Sequence, residues 1–385
     1  MRVKLKDIFE LQMGKTPSRN NSEYWNKKDY KWISIADLTK TGKYISDTKE
    51  FLSQKAVEES GIKVIPANTV VMSFKLSIGK IAITMENMYS NEAIMAFNDK
   101  HVMEILPEYI FYLFKYKNWD IGSNKAVMGK TLNKTTLSEM EVEICPIEKQ
   151  KEIVNILNKV MSVLDSRKLE LQHLDELVNA RFVEMFGDES NPMGWPVLNV
   201  EDVASVSVGV VIKPAQYYTD EEHGIRAFRS LNIGPMKIKN TDWVYFSEEG
   251  NEKNSKSILK ENDLIVVRSG APGTACVVTK EYEGCNAIDI IIAHPDTSKV
   301  NPYYLCAYTN LPHGKRQIDE GTGGAAQQHF NVGKYNKLSL FLPPVEKQNE
   351  YVKFLEQVDK SKVAIQKALD KTQMLFDSLM QEYFG

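Results

Sequence analysis

Cysteine is scarce here. Cys145, Cys276, Cys285 and Cys306 are the four in a chain of 385 residues, too few for a disulfide framework and with no Cys-x-x-Cys pair among them. The six histidines are scattered, without His-x-His spacing, so no metal centre is expected. No stretch approaches the ~20 apolar residues of a membrane span. The opening MRVKLKDIFELQMGK has neither the apolar core nor the small-residue cleavage site of a secretory signal, so the expected location is the cytoplasm, with no membrane partner. Charge of one sign is also missing: 48 basic and 51 acidic residues leave a net −3, and any binding of nucleic acid must rest on local basic surface or on a partner. Catalytic signatures are absent as well, with no Walker A sequence, no G-x-G-x-x-G after a strand, no G-x-S-x-G and no H-E-x-x-H.

What is there is a repeat. Residues 146–157, PIEKQKEIVNIL, match residues 344–355, PVEKQNEYVKFL, at an offset of 198, and the same offset lays Phe186-Gly187 on Phe384-Gly385. Upstream, an offset of 195 pairs Asp7 with Asp202, Gly14 with Gly209 and Pro107 with Pro302. Given one extra residue, it also pairs IPANTVVMSFKLSIGKIAI (65–83) with LKENDLIVVRSGAPGTACVV (259–278). The chain is thus two copies of a unit of roughly 190 residues, a duplication of domains and not a solenoid, whose repeats run ~20–50 residues. Two domains also suit a length beyond the ~250–300 residues at which one core stops growing.

Each copy changes character at its Pro-x-Glu-Lys-Gln element. Before it, short apolar runs bounded by Gly, Pro, Asn and Asp read as strands: KWISIADL, NTVVMSF, KIAITM and EAIMAF in the first copy, RAFRSL, NDLIVVRS, ACVVT and AIDIIIA in the second. One helix is expected within each set, at 107–118 and 301–310, with Pro near its first turn. NPYY at 301–304 resembles the Asn-Pro-Pro-Tyr signature of amino-methylating DNA methyltransferases, but it lacks the second proline and any glycine-rich cofactor loop before it, and reads as a helix start. SGAPG (269–273) reads as a tight turn between strands.

After the element, neither copy has a Gly or Pro until the closing Phe-Gly, and apolar positions recur at alternating spacings of four and three. The seams are Ile153, Leu157, Val160, Leu164, Arg167, Leu171, Leu174, Val178, Arg181 and Tyr351, Leu355, Val358, Lys362, Ile365, Leu369, Thr372, Phe376, Leu379. Each helix, about 38 residues and ~57 Å long at ~1.5 Å per residue, needs a partner along its length, and the simplest is the other helix. The polar interruptions, Arg167 and Lys362, fall where the other copy has Ile365 and Leu164, and are placed to fix pairing register at some cost in stability.

Basic, acid-free stretches recur in both copies outside these helices. GIRAFRSLNIGPMKIKN (224–240) and NKAVMGKTLNK (124–134) contain no acid, and the second-copy counterpart of the latter, GTGGAAQQHFNVGK (321–334), is rich in Gln and Asn. Lys and Arg neutralise phosphate, whereas Gln, Asn and Arg match the donors and acceptors of base edges in the major groove. The candidate DNA contacts are Lys75, Lys125, Lys130, Asn133 and Lys134 in the first copy and Arg226, Arg229, Arg268, Gln327 and Gln328 in the second.

The two copies, the Pro-x-Glu-Lys-Gln element before each long helix and the Phe-Gly ends together resemble the specificity subunit of type I restriction-modification systems, over the full chain. ARFVEMFGD (180–188), GWPVLNVEDVASVSVG (194–209), CPIEKQKEIVNIL and PPVEKQNEYVKFL look like that family's helix ends, second-domain start and helix starts. The resemblance implies an α+β fold in which two strand-rich target recognition domains, 1–145 and 191–343, are separated by spacer helices at 146–190 and 344–385 that pair as an antiparallel coiled coil. It implies a chain that is not itself an enzyme and binds no cofactor, each recognition domain reading one half of an asymmetric, two-part site in double-stranded DNA. The implied partners are modification methyltransferase subunits, two per chain, using S-adenosylmethionine, and a restriction translocase dependent on ATP and Mg. The first loop, GKTLNKTTLSEM, lacks the Gln of the family's Gly-Thr-Gln pattern, and the second, GGAAQQHF, has Ala where Thr is usual. A stand-alone DNA-binding regulator and a coiled-coil scaffold are the alternatives; a methyltransferase gene beside this one and salt-dependent DNA binding of the assembled complex separate them.

Overall fold

Strands such as VVMS and IAIT carry no polar alternation because both of their faces are covered. The computed structural model describes residues 1–75, 77–119, 124–126, 129–321 and 330–385, which form two compact units, Met1–Lys168 with Lys367–Gly385, and Leu169–Gln366. In the first unit the principal elements are β1 (Phe9–Met13), β2 (Tyr30–Ile33), β3 (Tyr44–Ile45), β4 (Glu50–Leu52), β5 (Val70–Ser73), β6 (Ile81–Thr84), β7 (Tyr89–Ser90), β8 (Ile94–Asp99), α1 (Pro107–Tyr116) and the start of α2 (Ile147–Phe186). The main sheet has the order β1-β8-β5-β6-β3, and a smaller one the order β4-β2-β7. Val70, Met72, Ile81, Ile83, Met95 and Phe97 pack on α1 and the long helices, while Val71, Ala82, Ile94 and Ala96 pack on Ile33, Leu38, Ile45 and Met88 from the other side.

The second unit repeats this plan with β9 (Ala204–Val208), β10 (Ile225–Phe228), β11 (Val244–Phe246), β12 (Leu264–Val267), β13 (Ala275–Val277), β14 (Asn286–Ala287), β15 (Ile290–Pro295), α3 (Pro302–Asn310) and the start of α4 (Val345–Phe384). Its main sheet runs β9-β15-β12-β13, the order of the first unit without a counterpart of β3, and β10 pairs in parallel with β14 as β2 does with β7. The repeat is tighter than the sequence suggests. Residues 65–83 lie on 259–277 at an offset of 194 with no inserted residue: Val70 and Leu264 face Ile83 and Val277, and the positive φ of Asn68 and Gly79 recurs at Asn262 and Gly273. The expected extra residue is therefore not needed. SGAPG does form the tight turn between β12 and β13, where Gly273 has φ +79°.

Each long helix has 40 residues, unbroken because no Gly or Pro interrupts it. In the first unit Lys149 of α2 lies 5.9 Å from the Tyr383 ring of α4, and further along Arg167 donates from Nη1 to the Ala368 carbonyl and the Thr372 hydroxyl. In the second unit Arg181 pairs with Glu350 at 3.7 Å, the Tyr351 hydroxyl donates to the Val178 carbonyl at 3.1 Å, and Lys362 reaches Asp175 at 2.6 Å. Numbers rise along one helix as they fall along the other, so the pairing is antiparallel. The two polar interruptions of the seam are both satisfied by the facing helix.

Both Phe-Gly ends are anchors. Phe186 is fully buried, with ring centroids 5.0 Å from Tyr304 and 5.5 Å from Tyr351; Phe384 packs on Tyr109 at 5.4 Å. Gly187 closes α2 with φ +85°, and a Cβ there would stand 2.6 Å from Pro192.

Candidate nucleic-acid interface

Of the ten residues singled out in the sequence, Lys75, Asn133, Lys134, Arg229 and Arg268 stand at one end of each main sheet. In the first unit this is where β1 ends, β8 begins and the β5–β6 turn projects. The Leu132 amide donates to the Phe74 carbonyl at 3.0 Å, which brings Asn133 and Lys134 beside Lys75. Thr16, leaving β1, donates its hydroxyl to Glu92. That bond, with Lys75 and Arg19 nearby, holds the Glu92 carboxyl below its usual range. Thr16, Arg19 and Glu92 carry no signal of this place in the sequence, since two of them lack a basic charge and the third stands apart from any basic run. Arg19 stacks 3.8 Å over the Trp25 ring and pairs with Glu50 at 2.5 Å.

The second unit builds the same end by the same backbone closures. The Phe330 amide donates to the Arg268 carbonyl at 3.0 Å, the counterpart of the Leu132–Phe74 bond. Arg268, with its side chain 17% exposed, forms an ion pair with Asp289. Arg229 follows β10 at this end, because the Ile288 amide donates to the Phe228 carbonyl. Its Nη2 donates to the Asp242 carbonyl, and its buried Nε has no partner among the described residues. Arg226 lies further back on β10, over the Trp243 ring at 5.6 Å and 3.9 Å from Glu281. The ion pair Lys31–Glu86 stands at the equivalent positions of the first unit, both members shifted by 195, so this contact belongs to the repeated framework.

Lys125 and Lys130 are register partners across a two-stranded hairpin, Asn124–Ala126 with Gly129–Thr131. Gln327 and Gln328 lie outside the described residues. Asn133 caps the helix Lys134–Glu139, its Oδ1 accepting from the Thr136 amide at 2.7 Å, and Asn331 caps Val332–Asn336 in the same way. Asn133→Ala is expected to cost ~0.5–2 kcal/mol of stability, and Asn133→Asp to keep the cap. Thermal unfolding of the two variants measures the cap, and a specificity change in the Asp variant alone would add a base contact.

Among the described residues no cluster of His, Cys, Asp or Glu could hold a metal ion, and no helix is long and apolar enough to cross a membrane. What the two ends offer is different side chains on one repeated frame.

Comparison with known proteins agrees with that geometry. The model of the type I restriction modification DNA specificity domain matches twice, over residues 1–176 and 192–372, and the chain belongs to this family. It is accordingly a DNA specificity subunit of a type I restriction-modification system. It is similar to the type I restriction enzyme MjaIX specificity subunit of Methanocaldococcus jannaschii, 24% identical over 89% of this chain and 82% of that one. The EcoprrI specificity subunit of Escherichia coli is 21% identical over 92% and 86%. The fold matches the crystal structure of the S subunit from M. genitalium, with a TM-score of 0.57 and 13% identity over 100% of this chain and 96% of that one. It also matches a chain from a structure describing complex assembly and conformational transition of the type I system, with a TM-score of 0.63 and 17% identity over 100% and 97%.

Proposed function

We propose that the first unit reads one short DNA sequence and the second unit a different one, so that the target is asymmetric and in two parts. The observation that carries this reading is the equivalence of the two sheet ends in backbone and their divergence in side chain. Ser34 stands where the second unit has Arg229, Lys75 where it has Ser269, and Phe74 where it has Arg268. Equal frames with unequal donors and acceptors select unequal sequences. The chain contributes choice and no chemistry: it binds no cofactor, and methyl transfer falls to modification subunits, two per chain, that bind S-adenosylmethionine. A restriction subunit using ATP and Mg completes the complex that cleaves. The outer faces of α2 and α4 carry exposed Leu177, Val363, Met374 and Leu375, apolar surface suited to holding the modification subunits.

Modified-base sequencing of DNA from cells expressing the chain with its neighbouring methyltransferase tests the reading. An asymmetric two-part methylated motif is expected when the chain is present and absent when the methyltransferase is alone. Arg229→Ala is expected to relax one position of one half-site, by ~1–3 kcal/mol of discrimination, whereas Lys134→Ala weakens all sequences alike. Methylation that is unchanged by the chain, with both proteins expressed, would overturn the reading.

A further inference from the structure

In the second unit three segments run side by side and leave at one edge. Val210 bridges Ile288 in parallel, and Phe228 pairs with Ala287 in parallel, so Val211-Ile212, Asp289 and Arg229-Ser230-Leu231 emerge together. Arg268 joins them through Asp289. At this edge Ile212 is 77% exposed, Leu231 56% and Val211 51%. The frame does not require large aliphatic side chains there, since the corresponding residues of the first unit are Pro17, Ala36 and Thr16. Three cations stand beside them: Lys213 follows Ile212 in the left-handed region, Arg229 precedes Leu231 by two residues, and Arg268 is paired with the acid at this edge, Asp289. An apolar patch set among phosphate- and guanine-seeking groups suits a surface that is itself mostly polar but carries isolated methyl groups.

We propose that Val211, Ile212 and Leu231 are specificity-determining residues that contact the 5-methyl group of thymine in the major groove of the half-site read by the second unit. The inference rests on the two-part reading above. Thymine presents the one apolar group among the base edges of that groove, and aliphatic side chains contact it. The first unit has the smaller Thr16, Pro17 and Ala36 at these places, so it presents no comparably large aliphatic patch.

The test uses the complex of the full chain with its methyltransferase and duplexes of the mapped target, either natural or with deoxyuridine in place of thymine in one half-site. Deoxyuridine removes the methyl and leaves base pairing intact. The wild-type complex is expected to bind the substituted duplex about fourfold more weakly per contacted methyl, the value of one buried carbon at ~0.8 kcal/mol. Ile212→Ser with Leu231→Ser, both at exposed positions, is expected to narrow the difference between the two duplexes, with Val211 still in place, and still to discriminate the other half-site. Site-specific binding that ignores deoxyuridine would overturn this inference and leave the two-part reading standing, as would a second half-site without an A·T pair. Loss of the methyltransferase from the double-serine variant would overturn it in favour of a protein-docking patch. No site-specific binding by the wild-type complex would overturn both.

Discussion

Phe182→Ala is expected to destabilise the second unit by ~3–5 kcal/mol, among the largest effects of any single truncation. Phe182 sits on the last turns of α2, fully buried, with ring centroids 5.0 Å from Phe186, 5.3 Å from His313, 5.4 Å from Tyr351, 5.8 Å from Tyr308 and 5.9 Å from Tyr304. These rings come from α2, α3, α4 and the helix Pro312–Gly321, so one side chain joins four helices. Edge-to-face pairs add to the area each ring buries, and a surround of rigid rings cannot collapse into the void. In the first unit the equivalent position is Met380, an unbranched and adaptable side chain, and Met380→Ala is expected to cost less, at the lower end of the ~2–5 kcal/mol range. A chain of two units need not unfold in one step, so the effect is best read by hydrogen exchange in β15 against β8. Protection lost equally from both strands would contradict the assignment of Phe182 to the second core.

The elements legible in the sequence are those whose pattern has one physical solution. Long helices followed from a heptad seam with no breaker, and their mutual pairing from a length that needs a partner, for which the other helix is the simplest choice and packing on each helix's own domain the alternative. The strands followed from apolar runs between turn residues, except that KWISIADL is strand only over Tyr30–Ile33: Ser34 and Asp37 form a capping box that starts the helix Ile35–Lys40. Further short helices, Gln54–Ser60 and Glu248–Lys253, join the one expected in each copy. The helix Pro312–Gly321 did not: its sequence PHGKRQIDEG has a single aliphatic residue and two glycines. Packing explains it, since a Cβ at Gly314 would stand 2.3 Å from the Tyr308 carbonyl, so glycine there admits close approach to α3.

The candidate interface was less legible, for a reason its residues share. Asn133, Arg226 and Arg268 were singled out for side-chain chemistry that suits DNA, and the same chemistry serves the fold: a helix cap, a repeated ion pair and a brace between two loops. Sequence shows that a polar group is present and not which partner it has. The apolar patch at Val211, Ile212 and Leu231 was hidden by the opposite assumption, that aliphatic residues belong inside. The signal that finds it is comparison of the two copies, because a core position keeps its character between repeats and this edge changes from Thr16, Pro17 and Ala36 to large aliphatic side chains.

Gln348→Leu is expected to rival the loss of an aromatic anchor although it replaces one side chain by another of similar size. Gln348 is fully buried. Its Oε1 accepts from the Asn301 amide at 2.7 Å, and its Nε2 donates to the carbonyls of Lys299 at 3.1 Å and Pro343 at 2.8 Å. Gln150 makes the same three bonds, to the Leu106 amide at 2.9 Å and the carbonyls of Glu104 at 3.2 Å and Cys145 at 2.9 Å. This is the physical content of the repeated Pro-x-Glu-Lys-Gln element: a side-chain amide inside the first turn of the long helix pins the start of the preceding helix to it. Leucine leaves the partners unpaired at roughly 1–3 kcal/mol for each group that water cannot reach. Gln348→Glu separates hydrogen bonding from size. Its carboxylate could accept from Asn301 but would face two carbonyl oxygens, so the folded state favours the protonated acid, which donates to one of them. The carboxyl is thus raised in the folded state. The variant is therefore expected to keep most stability at low pH and to lose it as pH rises through the folded-state titration. Unfolding measured across the acidic range checks this: a deficit that is constant with pH would show that the amide is not the tie.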